Sequence, residues 1–192
     1  MLSPIFRRVT YSTKEGITIW HVISCKPQEE YKILDICNKH LSPNSLRKGF
    51  ILTYDRMRRY EGRWHLERNI LFPAHVFLES EDENLLADEI KACFCLQGIK
   101  LFTVARNEEI FLKKLCGESH NLNMSEGIIR RGIPKIIRGP LKGMESRICK
   151  IDRHKRLAKV ETTIYSDEPE SRIFPYLTAG LEITEKDVEI CQ

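Results

Sequence analysis

Between residues 130 and 160 the chain sets Arg130, Arg131, Lys135, Arg138, Lys142, Arg147, Lys150, Arg153, Lys155, Arg156 and Lys159 against only Glu145 and Asp152, a net +9. Residues 161–192 hold two basic residues and eight acids, a net −6, so the overall +4 conceals strong segregation. A dense basic block beside an acidic one is the pattern of a surface that meets a polyanion, because clustered cations displace counterions from phosphates. Within it, Arg138, Lys142, Arg147, Lys150, Arg153, His154, Lys155 and Arg156 flank a Gly139-Pro140-Leu141-Lys142-Gly143 loop and a charged turn at 152–156, and they are the candidate nucleic-acid contacts. Lysine and arginine there supply phosphate contacts, and arginine adds recognition of base edges.

Other chemistries lack a motif, and nothing favours a Ser-His-Asp or Cys-His site assembled from distant positions. The histidines at 21, 40, 65, 75, 120 and 154 form no HxxxH or HExxH pair, and no Walker loop, nucleophile elbow or acidic metal cluster occurs. Seven cysteines, at 25, 37, 93, 95, 116, 149 and 191, show no CxxC and no regular framework, which fits reduced thiols in a cytoplasm. The expectation is a non-catalytic protein with no cofactor and no metal. No apolar run is long enough to span a membrane, and Arg7 and Arg8 are not followed by an apolar stretch of signal-peptide length.

The elements that must carry the basic block follow from periodicity. Residues 17–24 are β-branched and aromatic and read as a strand. A helix follows with Pro27 at its first position, Glu29 and Glu30 in its first turn, and Tyr31, Leu34, Cys37 and Leu41 on its buried face. Residues 50–58 and 64–70 read as a protruding hairpin carrying Arg56, Arg58, Arg59, Arg63 and Arg68, and 74–79 as a central strand. A helix at 82–94, a strand at 101–104 and a helix at 108–116 capped by Asn107 complete a β-α-β-β-β-α-β-α order. The polar stretch 118–126 reads as a linker, and five short strands beyond it fit a small barrel.

Trp20-His21-Val22, then Lys26-Pro27-Gln28-Glu29-Glu30, then Leu71-Phe72-Pro73-Ala74-His75-Val76-Phe77, resemble the N-terminal domain of the NusG family. Arg138 to Glu145 with the strand 147–152 resembles that family's KOW motif, so the likeness covers roughly residues 18–184 in the family order. It implies an α+β fold: an N-terminal extension at 1–16, an NGN-type antiparallel sheet with flanking helices at 17–117, a linker at 118–126, and an SH3-like KOW β-barrel at 127–192. The basic loops look most like the specialised antitermination branch typified by LoaP. Residues 164–170 stand where housekeeping members carry their F-G-R-x-T-x-V-E-L strand.

The resemblance implies a monomeric cytoplasmic elongation factor acting as a processive antiterminator. Its N-terminal domain would hold the β′ clamp helices of RNA polymerase near Trp20, Phe72 and His75. Ala74 and His75 replace the Gly and Tyr usual there. Arg56, Arg58, Arg59 and Arg63 would run along upstream or non-template DNA, and the KOW domain would bind a structured leader RNA. The alternatives are a general elongation and termination factor, or a KOW-bearing module associated with ribosomes.

Overall fold

The computed structural model describes residues 18–165 and 172–186; the expected extension at 1–16 lies outside the described residues. Among the described residues the fold is α+β, with three α-helices and three sheets. β1 (Ile19–Ser24), β2 (Lys48–Phe50), β5 (His75–Ser80) and β6 (Leu101–Thr103) form an antiparallel sheet in the order β2-β5-β1-β6. Successive side chains of a strand point to opposite faces, and this sheet has a separate core on each. Ile23, Val76 and Leu78 pack with Ile33 and Cys37 of α1 (Glu30–His40) and with Leu86 and Ile90 of α2 (Glu83–Ala92). On the opposite face Trp20, Val22, Phe50 and Phe77 pack with Phe111, Leu112 and Leu115 of α3 (Arg106–Cys116).

Several local expectations are corrected. Gln28 takes a left-handed φ of 70°, so Pro27 lies in a turn and α1 begins at Glu30. Glu30 is buried because its carboxylate accepts the Ala74 N–H at 2.7 Å; Tyr31, expected on the inner face, is 63% exposed. Helix α2 ends at Ala92 and passes into a 3-10 turn, and α3 begins at Arg106 without a side-chain cap from Asn107. The expected single strand at 50–58 divides into β2 and β3 (Thr53–Tyr60). β3 pairs with β4 (Arg63–Ile70) across a two-residue turn in which Glu61 and Gly62 have φ of 51° and 73°, the geometry that matches strand twist.

The segment 118–126 does not run free between two bodies. It contains β7 (Asn121–Leu122), which pairs parallel with β3, and the start of β8 (Ser125–Arg130). The Thr53 N–H also donates to the His120 carbonyl at 3.0 Å. A polar composition hid this because Leu122 is the segment's one large side chain in the core, beside Asn121, whose Oδ1 accepts the Thr53 hydroxyl at 2.8 Å.

β8, β9 (Ile133–Arg138), β10 (Ile148–Asp152), β11 (Leu157–Tyr165) and β12 (Arg172–Lys186) make an open sheet in the order β10-β11-β12-β8-β9. The expected closed barrel is not formed among the described residues, since β9 and β10 do not pair. Between them stand the 139–144 loop and a 3-10 turn, and Glu145 in that turn accepts the Ile136 N–H of β9 at 3.2 Å. β12 crosses the sheet, antiparallel to β11 over its first part and parallel to β8 after Gly180.

Ile136, Leu141, Ala158, Val160, Leu177, Ala179 and Leu181 belong to the same apolar cluster as Trp20 and Leu112, so the two halves share a core. A Cβ on Gly180 would stand 2.3 Å from the Asp55 carbonyl oxygen, and only glycine lets β12 pass this close to β3.

Candidate nucleic-acid interface

The outer surface of the second sheet is set by two turns. In the first, Gly139 has φ of 96°, and a Cβ there would lie 2.6 Å from Ser125 Cα. Leu141 is fully buried and donates its N–H to Ser125 Oγ at 3.1 Å, which leaves Lys142 exposed at the apex. In the second, Asp152 Oδ1 accepts the N–H of Lys155, three residues on, at 2.9 Å, and Arg153, His154 and Lys155 are exposed. Lys150 is exposed on β10 beside them.

Three of the eight expected RNA contacts are held elsewhere. Arg147 is half-buried, with its guanidinium 4.0 Å over the Phe111 ring and 3.6 Å from Glu108 Oε2, joining the second half to α3. Arg156 lies 4.0 Å over Trp64 of β4 and 3.0 Å from Glu182. Arg138 is exposed but paired with Glu126. Lys142, Lys150, Arg153, His154 and Lys155 make no ion pair among the described residues.

Register adds two residues to the surface. Lys150 sits directly opposite Lys159 of β11, and the Lys159 ammonium stands 4.8 Å from the ring centroid of Tyr176, which is 44% exposed. Like charges facing each other across strands destabilise a sheet, and a polyanion relieves that cost. Lys159 belongs to the basic block, but neither it nor Tyr176 was separable from ordinary strand residues without the pairing.

The hairpin arginines divide between its faces. Pairing of Arg56 with Glu67, Arg58 with His65 and Tyr60 with Arg63 puts Arg56, Arg58 and Arg63 on one side; Arg59, opposite Trp64, points to the other. On the first side Tyr60 stacks on His65 at 3.7 Å and 12°. Arg56 Nε, His65 Nε2 and Asn69 Nδ2 are buried there with no hydrogen-bond partner among the described residues.

Of the expected polymerase-binding residues, Trp20 and Phe72 are buried and His75 is half-buried. Trp20 is 2% exposed and packs edge-on to Phe50 at 4.7 Å. Phe72 is 1% exposed, and both it and His75 meet Phe174 of β12, at 4.3 Å and 4.4 Å. Burial holds the His75 imidazole below the ordinary histidine value, against the opposing effects of the Pro73 carbonyl and Glu30.

Among the described residues no cluster of metal-ligating side chains exists, and no helix is long and apolar enough to cross a membrane. No protein-family model matches this chain, and no curated protein shows significant sequence similarity to it.

Proposed function

We propose that this chain is a non-catalytic transcription elongation factor of the NusG type acting as a processive antiterminator. It binds RNA polymerase through the first half and structured RNA through the basic surface of the second. The observation that carries the reading is the pair of exposed turns bearing Lys142 and Arg153, His154 and Lys155, with Lys150 beside the second, none of which makes an ion pair among the described residues; Lys159 and Tyr176 extend the second. The lysines and arginine neutralise phosphates, and Tyr176 offers an aromatic face to an unstacked base. Arg56, Arg58 and Arg63 beside the stacked Tyr60 and His65 form a second cationic and aromatic surface suited to single-stranded DNA.

With Phe72 and His75 under Phe174, docking on the polymerase clamp helices requires β12 to move away from that site. An RNA contact then gains effective concentration once the first half is docked, and so a weak selector acts on one transcript.

The test is RNA binding against salt. A hairpin RNA should bind with log affinity falling linearly in log salt, by roughly 0.7–0.9 per phosphate neutralised. The triple variant Lys150→Ala, Arg153→Ala, Lys155→Ala should flatten that slope by about 2–3. Salt-independent binding, or an unchanged slope in the variant, would remove the role given to this surface.

A further inference from the structure

At the end of the first sheet, where the apolar core of the α3 face stops, Lys48 lies opposite Glu79 and Glu79 opposite Trp20, so three strands present them in one cross-strand row. A cleft of about 170 Å³ opens over this row, bounded on its other side by Lys113, Glu118 and His120. That is several times the about 30 Å³ of a water and below the about 300–1,000 Å³ of drug-sized pockets.

Trp20 is almost wholly buried, yet its Nε1 has no hydrogen-bond partner among the described residues. A buried indole N–H normally has one. Lys113 Nζ is fixed 5.1 Å over the same ring by its 2.7 Å bond to Glu109. Lys48 and Glu118 are exposed at the rim and make no ion pair among the described residues, although they are of opposite charge and line one opening.

The His120 ring lies 4.0 Å from Phe50, and its backbone is pinned at φ of 54° with its carbonyl bonded to Thr53. Burial, then Lys48, then Lys113 act to hold this imidazole below the ordinary histidine value, against Glu118 and Glu79. At neutral pH it offers one donor and one acceptor.

Two ammonium groups and two carboxylates line the cleft. A simple anion would meet both carboxylates, and a simple cation both ammoniums; a molecule carrying both charges is matched at both ends. We propose that this cleft binds a small zwitterion of the free α-amino-acid class, its carboxylate toward Lys48 and the Trp20 N–H, its ammonium toward Glu118 and Glu79. The site does not depend on the nucleic-acid reading, because none of its residues belongs to either cationic surface.

The chain has two tryptophans, so in a Trp64→Phe background fluorescence reports Trp20 alone. The full chain would be titrated with each of the twenty common amino acids, and the wild type followed in parallel by calorimetry. The expected result is a saturable change with at least one amino acid. Lys48→Ala and Glu118→Gln, both at the exposed rim, should each weaken it ten-fold or more, and the N-acetyl and amide derivatives of the same amino acid should fail to bind. The proposal is overturned if no amino acid gives either a fluorescence change or heat. It is equally overturned if the N-acetyl derivative binds as well as its parent, or if both rim variants bind unchanged.

Discussion

The ring of Phe174 rests 4.3 Å from that of Phe72, inclined at 39°, and joins a strand of the second half to the segment that precedes the central strand of the first. The same ring meets His75 edge-on, so one side chain packs on two of the three residues expected to touch polymerase. Phe174→Ala should destabilise the chain by about 2–3 kcal/mol, less than the about 3–5 typical of a fully buried phenylalanine, because Phe174 is half-buried. Under the proposed function the same variant should bind polymerase more tightly than wild type. Urea titration and polymerase pull-down read the two effects separately, and unchanged or weaker polymerase binding would detach Phe72 and His75 from that role.

Arg147 separates a structural cation from a nucleic-acid one. Arg147→Met keeps an apolar stem over Phe111 but removes the charge facing the buried Glu108. It should cost about 2 kcal/mol of stability and leave RNA affinity nearly unchanged. A large loss of RNA affinity with stability intact would return Arg147 to the binding surface.

Gly180 marks the closest approach between the halves. A methyl group there would press on the Asp55 carbonyl oxygen at 2.3 Å and on Met124 Sδ at 2.1 Å, and the backbone atom cannot swing aside. Gly180→Ala should therefore destabilise by at least about 1–3 kcal/mol. Thermal unfolding would show it as a lowered midpoint, and an unchanged midpoint would mean that β12 and β3 are not held in this contact.

The pH dependence follows from three histidines. Burial is the leading cause holding His21, His75 and His120 below the ordinary value of 6.5, with the nearby carboxylates acting in opposition. Below about that pH the unfolded chain takes up more protons than the folded one. Stability should thus fall beneath pH 6.5, with a slope of up to about 1.4 kcal/mol per pH unit for each histidine, and fall again at alkaline pH, where burial pushes the Cys37 and Cys116 thiols up to about 12. Glu30 and Glu89, whose folded pKa values are depressed, extend the loss to lower pH. Urea titrations at several pH values would measure the slope, and His75→Gln should reduce it.

The sequence carried the helices and central strands well, because Val22 and Ile23, or Phe77 and Leu78, alternate between two cores as a strand period requires. It did not carry the fate of residues 118–126, because the pairing of Asn121 and Leu122 with β3 rests on two residues in an otherwise polar stretch, too few to show a strand period. Barrel closure was also beyond it: Glu145, ordinary in sequence, occupies the edge of β9. At the candidate site the basic block was evident, but charge alone cannot tell Lys150, which is exposed, from Arg156, which lies over Trp64. The opposition of Lys150 and Lys159 needed the register.

Terminator readthrough in a purified transcription system, with and without the cognate leader RNA, tests the central claim most directly. Wild type should raise readthrough only when the leader is present, and the Lys150/Arg153/Lys155 alanine variant should lose that gain while still binding polymerase. Leader-independent readthrough, or full activity in the variant, would contradict the account.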